Sequence, residues 1–239
     1  MSFGNGKNSA PDRLLFKAGC LRVKKRKRLD HQLIFELIEP GSRVLDLGCG
    51  HGELLARLVA EKKISGQAVE RNPARVADAI RGGVAVYQKD LDCGLLEFKK
   101  NSFDYAILEM TLQQLERPLA ALEETLRVSR YTIVSFPNFN YRGVVGKLVE
   151  TGRMPVTPAL PYRWHNTPNI HLFTLYDFLD WAEQRGVTVV AGYASAAGSP
   201  FRPLNLPDDS SGAEELLFVI TLAGSARLKS TGSSADPVI

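Results

Sequence analysis

The sequence predicts a doubly wound α/β domain on a mostly parallel, seven-stranded sheet with one late antiparallel strand. Short, almost unbroken apolar runs such as residues 105–108 and 133–136 read as strands buried on both faces, as in parallel sheets covered by helices. A glycine turn, Gly48-Cys49-Gly50-His51-Gly52, follows the first such run and opens a helix. That arrangement places a ligand beyond the carboxyl end of a strand. The last two strands are joined by residues 194–212, a Gly/Ser/Pro/Asp connection without helical periodicity. Such a connection suits an antiparallel hairpin better than a crossover.

The elements follow in order. Residues 30–39 (DHQLIFELIE) carry Leu33, Ile34, Leu37 and Ile38 at helical spacing and stop at Pro40-Gly41. Strand one spans 43–47, and a helix follows over about 53–63. Strand two spans 66–70; Asn72 then caps a helix that starts at Pro73, where a missing amide hydrogen costs nothing. Residues 84–88 read as strand three and 103–108 as strand four. A helix over about 119–128 leads to strand five at 132–136. After a long irregular stretch, Thr174 caps a helix through about Gln184, and two strands close the domain at 187–193 and 216–222. A sheet that is parallel except for one late strand is the Rossmann-like arrangement of class I methyltransferases.

The chain has 239 residues and is 44% hydrophobic, which suits one such domain, at 29–225, with a proper core. No apolar run approaches the roughly 20 residues that span a bilayer, and the N-terminus lacks a secretory apolar segment. Cys20, Cys49 and Cys93 are odd in number and show no CxxC spacing. This argues against a disulfide framework or a zinc site and for a reducing cytoplasm. The net charge of +4 is unevenly distributed. Residues 1–28 hold nine Lys/Arg against Asp12, whereas the remainder holds 21 basic and 25 acidic residues. The run Lys24-Lys25-Arg26-Lys27-Arg28 has the charge to meet nucleic acid or an anionic membrane, but it reads better as part of a disordered, solvated leader. The domain lacks a basic stripe interleaved with aromatics, so neither a membrane nor a nucleic-acid partner is expected. Residues 226–239, rich in Ser, Gly and Ala, read as a disordered tail.

The carboxylate before the glycines separates two kinds of nucleotide site. A dinucleotide site aims glycine amides and a helix N-terminus at a diphosphate, which a neighbouring anion opposes, and it has Gly or Ala where this chain has Glu53. A cationic ligand end makes Asp46 an asset instead, and S-adenosylmethionine, with its ammonium and sulfonium charges, fits. Asp46, Leu47, Gly48, Cys49 and Gly50 are the expected contacts at strand one. Strand two ends at Glu70, before Arg71. Glu70 can accept from both hydroxyls of a ribose diol, or it can be a surface residue in a turn. Beyond strand three, Asp90 can accept from an adenine amino group while the Leu91 amide faces a ring nitrogen; alternatively Asp90 caps a turn. Strand four ends at Glu109-Met110-Thr111-Leu112-Gln113-Gln114, where the methyl donor would lie. Glu109 is a candidate base or ligand of the sulfonium end, and Gln113 and Gln114 either bind substrate or begin the next helix.

His51 inside the glycine turn reads as a single exposed side chain, and His31 in the opening helix as structural or exposed. No two histidines have metal-ligand spacing with a carboxylate, so no metal is expected. A nucleophile elbow with a Ser/His/Asp arrangement is absent from the sequence as well.

With these motifs placed, the chain resembles class I S-adenosylmethionine-dependent methyltransferases and, more narrowly, the methionine biosynthesis protein MetW family. The narrower resemblance rests on LDLGCG at 45–50, KDLD at 89–92, NSFDY at 101–105, SFPNF at 135–139, GRMPVT at 152–157 and LPYRWHNTPNIH at 160–171. It covers about residues 28–194. It departs at His165, where the family has Tyr after the Trp, in the basic leader through Lys27, and over 195–239. The resemblance implies S-adenosylmethionine as cofactor, with S-adenosylhomocysteine as the product of any transfer. It also implies a role in methionine biosynthesis beside a homoserine O-acyltransferase that the protein supports or regulates. It leaves open whether a methyl group is transferred to a small-molecule acceptor.

Residues 139–172 then carry the expectation of a second role. Loops longer than about 15 residues in compact domains tend to be lids or binding loops, and the prolines and aromatics of this one argue against disorder. We read it as a lid or partner insertion, the alternative being a packed helical excursion whose aromatics are core. Glu109, Tyr162, His165 and His171 are the candidates for catalysis. A buried His171 with a backbone hydrogen bond is an equal reading.

Overall fold

In the computed structural model, which describes residues 29–196 and 198–222, one eight-stranded sheet forms the centre. The strands are β1 (Arg43–Leu47), β2 (Ser65–Glu70), β3 (Val86–Gln88), β4 (Phe103–Glu109), β5 (Ser129–Pro137), β6 (Val187–Ser195), β7 (Arg202–Pro203) and β8 (Glu215–Leu222). Their order across the sheet is β3-β2-β1-β4-β5-β8-β6-β7. β1 to β5 pair in parallel, and β8 is antiparallel to both β5 and β6. The expected topology is therefore present. The eighth strand, the two-residue β7, pairs antiparallel with β6 and is too short to carry a periodic signal. The expected leader 1–28 and tail 226–239 lie outside the described residues.

Alternation along the strands sorts the core into two layers. On one face, Val44, Ala68, Tyr105, Ile107 and Tyr131 pack under α1 (Leu29–Leu37), α2 (Glu53–Lys62) and α3 (Pro73–Arg81), with Ile34, Leu55, Leu58 and Ala79 supplied by the helices. On the other, Leu45, Leu47, Val69, Leu108 and Phe136 pack under α4 (Pro118–Val128) and α6 (Leu175–Gln184). Phe136, Phe178 and Phe218 pack together there at centroid distances of 4.9–5.9 Å. The same alternation puts Asp46, Glu70 and Glu109 on the α1–α3 face, one step beyond Leu45, Val69 and Leu108.

Local chemistry explains the helix ends. Asn72 accepts hydrogen bonds from Ala74 N and Arg75 N, with Pro73 in the first turn. Thr174 and Asp177 form a reciprocal capping box at the start of α6. Two helices lay beyond the sequence reading. α5 (Arg142–Thr151) occupies the start of the long 139–172 stretch, and α7 (Asp209–Gly212) is a single turn in the final connection. α5 buries little besides Val144, so its pattern lacks the apolar stripe that marks a core helix. No helix among the described residues is long and apolar enough to cross a membrane.

Glu124 and Arg127 on α4 stitch the 95–98 turn to the layer. Glu124 accepts from Leu95 N at 3.0 Å, and Arg127 donates to the carbonyls of Phe98 and Leu95, each at 2.9 Å. The hydrogen-bonded Arg127 guanidinium holds the Glu124 carboxyl below the usual range. A carboxylate favoured by the folded state stabilises above its unfolded pKa and loses that contribution as pH falls through the folded one. Glu124→Gln is therefore expected to cost about 1 kcal/mol at pH 7. The difference from the unsubstituted protein should shrink below about pH 4, measured by urea midpoints at both pH values.

Candidate functional site

A cleft of about 560 Å³ opens beyond the carboxyl ends of β1 to β4, where the chain leaves β1 toward β2 on one side and β4 lies on the other. This is the switch point at which open α/β sheets hold ligands. Asp46, Gly48, Cys49, Gly50, Glu70, Arg71, Asp90, Leu91, Glu109 and Met110 all line it. Leu47 does not: its side chain, 1% exposed, points into the α4–α6 layer, because neighbours on a strand face opposite ways.

The floor is a glycine turn that must be glycine at Gly48. Its φ is +80°, and a Cβ there would sit 2.7 Å from Thr111 Oγ1. The backbone of the loop after β1 therefore packs against the Thr111 side chain of the loop after β4. Both oxygens of buried Glu70 are engaged: Oε2 accepts from Gly50 N at 3.0 Å and Oε1 from Asn72 N at 2.8 Å. The carboxylate ties the glycine turn to the start of α3, which the surface-turn alternative does not describe. Each oxygen keeps a second lone pair for a ligand hydroxyl.

Asp90 divides its work. One oxygen caps a 3-10 turn by accepting from Asp92 N at 3.0 Å, and the other lies 3.6 Å from the Arg71 guanidinium. Beside the glycine turn, burial first, and then the charges of Asp46 and Glu70, push the Cys49 thiol up to about 12. The thiol is therefore protonated at neutral pH.

At the β4 end, Met110 adopts a left-handed conformation with φ +48°. Its carbonyl accepts from the side-chain amides of Gln113 and Gln114, both at 2.8 Å, so these glutamines brace a turn. Gln114 also lines the cleft. The Gln113 carbonyl accepts from the backbone amides of Ile170 and His171 at 3.0 and 3.1 Å, fastening the 152–172 segment to this turn.

That segment divides the candidate catalytic residues. Tyr162 lines the cleft together with Asn166 and Pro168, which the sequence reading did not single out. His165 is exposed, its ring set edge-on against Trp164 at 5.5 Å, and is not among the lining residues. His171 is half-buried behind the segment, its amide on Gln113 and its Nε2 buried without a hydrogen-bond partner. Trp164 is 77% exposed, so these aromatics are not core, as a packed excursion would require.

His51 is a mostly exposed side chain, paired with Asp78 at 2.7 Å. His31, read from the sequence as structural or exposed, is part-buried. It lines the cleft, and its Nε2 lies 2.9 Å from Glu109 Oε2. α1 covers the face on which Glu109 emerges, and only the packing of that helix brings the two together. The sequence expectation of no metal rested on spacing along the chain; the fold gathers Asp30, His31 and Glu109 with ligand-type atoms within 4.8 Å of one another.

Fold and site together define a class: a Rossmann-like sheet with a late antiparallel strand and a glycine turn preceded by a buried acid, the architecture of class I S-adenosylmethionine-dependent methyltransferases. An S-adenosylmethionine-dependent methyltransferase from Thermotoga maritima superposes with a TM-score of 0.59 at 18% identity, covering 81% of this chain and 87% of its own. The [4+2]-cyclase SpnF superposes at 0.57 and 17% identity, over 80% of each chain. At such identities the likeness is one of fold alone. Residues 28–211 match the family described as methionine biosynthesis protein MetW. The bifunctional methionine biosynthesis protein MetXA/MetW of Rhodopirellula baltica is 40% identical over 172 residues, 67% of this chain and 27% of that protein. The chain belongs to the MetW family. It spans about a quarter of that bifunctional relative.

A test of the glycine turn follows. Gly48→Ala is expected to destabilise by about 2 kcal/mol through left-handed strain and the Thr111 contact. Adding Thr111→Ala should recover part of the loss, the part due to contact, as read by chemical denaturation.

Proposed function

We propose that this protein binds S-adenosylmethionine in the cleft and acts in methionine biosynthesis as a methyltransferase-like protein that supports or regulates homoserine O-acyltransferase. One observation carries the cofactor reading: Asp46, Glu70, Asp90 and Glu109 stand at or just beyond the carboxyl ends of four adjacent parallel strands. This row suits a ligand with a cationic amino-acid end, a ribose diol and an adenine amino group, and it opposes a diphosphate. Asp46 and Glu109 would offset the ammonium and sulfonium charges, Glu70 would accept from the ribose hydroxyls, and Asp90 with the Leu91 amide would meet the adenine edge. The bound cofactor would supply an electrophilic methyl group on a cationic sulfur.

Calorimetric titration with S-adenosylmethionine, S-adenosylhomocysteine and NAD tests this. The first two are expected to bind and NAD is not; tight binding of NAD alone overturns the reading. Asp46→Ala and Glu70→Ala should each weaken S-adenosylmethionine binding roughly tenfold or more, the worth of a charge-assisted contact. Thermal unfolding of both variants should stay cooperative.

The acyltransferase partner comes from the family resemblance, and two facts support it. A relative joins MetXA and MetW in one chain, and fusion raises the effective concentration of parts that work together. The outer side of the 145–172 region also exposes apolar side chains, among them Val149, Met154, Trp164, Ile170 and Leu172, as interaction surfaces do. Cofactor binding can govern such a partner only if its two states bind the cofactor differently. The acyltransferase rate, measured with and without this protein and S-adenosylmethionine, is expected to change; equal rates in all arms sink the partner role.

A second reading, a small-molecule methyltransferase, is favoured by Tyr162 and Asn166, which reach the cleft from the 152–172 segment. Labelled product from methyl-labelled cofactor and cell extract supports it, and no labelled product across extracts counts against it.

A further inference from the structure

We propose that α5 and the turn after it form the docking face for the homoserine O-acyltransferase, a proposal that rests on the partner reading above. Residues 139–158 make an excursion that leaves and rejoins the domain at one buried residue, Glu214. Its carbonyl accepts from Asn138 N at 2.9 Å and its Oε1 from Ala159 N at 3.0 Å. The excursion is thus clamped at its base, and α5 lies within it.

This helix has features that its own chain does not account for. Its ten residues include Gly143, Gly146 and three valines, all weak helix formers. A short helix of that kind depends on packing, yet it buries little besides Val144. Val145, Leu148 and Val149, at spacings of three and four, make an exposed apolar stripe in which Val149 is 81% exposed. Met154 and Val156, also exposed, follow in the turn beyond. Gly146 lies one turn from both Arg142 and Val149, and so beside the stripe. A Cβ there would meet nothing within 4 Å, and its φ is not left-handed. Neither crowding nor conformation among the described residues calls for glycine, which weakens a mid-helix position relative to alanine. A second backbone closing on the helix supplies the reason.

Charge narrows the kind of partner. Arg142, Lys147 and Arg153 stand against one acid, Glu150, and none of the three cations makes an ion pair among the described residues. Elsewhere on the surface Arg57, Arg81 and Arg185 each pair with a carboxylate. The face therefore fits a protein surface that is apolar at its centre and acidic at its rim. A lipid surface deforms around side chains and gives no reason for the glycine. In the Rhodopirellula baltica relative, MetXA and MetW share one chain, which keeps two such surfaces side by side.

Association of the full chain with the acyltransferase of the same organism, followed by calorimetry and sedimentation, tests this. Val149→Asp and Gly146→Leu should each weaken association roughly tenfold or more. Gly146→Leu should also raise the melting temperature of the free chain, a split that a purely structural glycine would not show. Lys147→Glu combined with Arg153→Glu should weaken association and flatten its dependence on salt. Unchanged affinity in both Val149→Asp and Gly146→Leu overturns the face and leaves the partner reading standing. No association of the unsubstituted chain overturns that reading, and the face with it. Self-association of the chain alone, or its binding to phosphatidylglycerol vesicles, abolished by Val149→Asp overturns the acyltransferase as the occupant.

Discussion

The buried carboxylate of Glu70 is the constraint on which the rest of the site depends. It accepts from Gly50 N and Asn72 N at once, so it holds the turn after β1 and the start of α3 in fixed relation. Two amide hydrogens that would otherwise lack partners near the protein interior are satisfied by one charged group, a strong use of a hydrogen bond. The position of Gly48 against Thr111 extends the same network to the loop after β4. Three loops from separate strands thus form one rigid rim, and a ligand in the cleft meets preformed geometry.

Acids recur on that rim because of strand periodicity. Asp46, Glu70 and Glu109 each take the last inward step of their strand on the face covered by α1, α2 and α3. The Cys49 thiol within the glycine turn is raised chiefly by burial, and to a smaller extent by the Asp46 and Glu70 carboxylates beside it. Through this shared face α1 becomes part of the site: a helix recruited to bury Ile34 also delivers His31 to Glu109.

The 152–172 segment joins the site to the outside. Its inner side gives Tyr162, Asn166 and Pro168 to the cleft, and Gln113 anchors it to the β4 turn, while Trp164, Ile170 and Leu172 face solvent. The β4 end of the cleft is therefore joined through Gln113 to the segment that carries this apolar outer surface. The fold alone does not specify the reaction, since the same architecture serves a methyltransferase in one structural relative and a [4+2]-cyclase in another.

Much of this was legible in the chain. Apolar runs, Asn72-Pro73, the Thr174 cap and the acid before the glycines are local signals, each set by the physics of a few neighbouring residues, and they determined the strands, most helices and the late antiparallel strand. They also placed Asp46, Glu70, Asp90 and Glu109 at strand ends. α5 and β7 escaped, one for want of an apolar stripe and the other for shortness. Only the tertiary structure decided which side chains share a face, that Leu47 turns away from the cleft, that His165 stays in solvent, and that His31 meets Glu109. Those outcomes depend on how helices pack across a sheet, a sum over contacts between residues far apart in the chain, which spacing along the sequence does not encode.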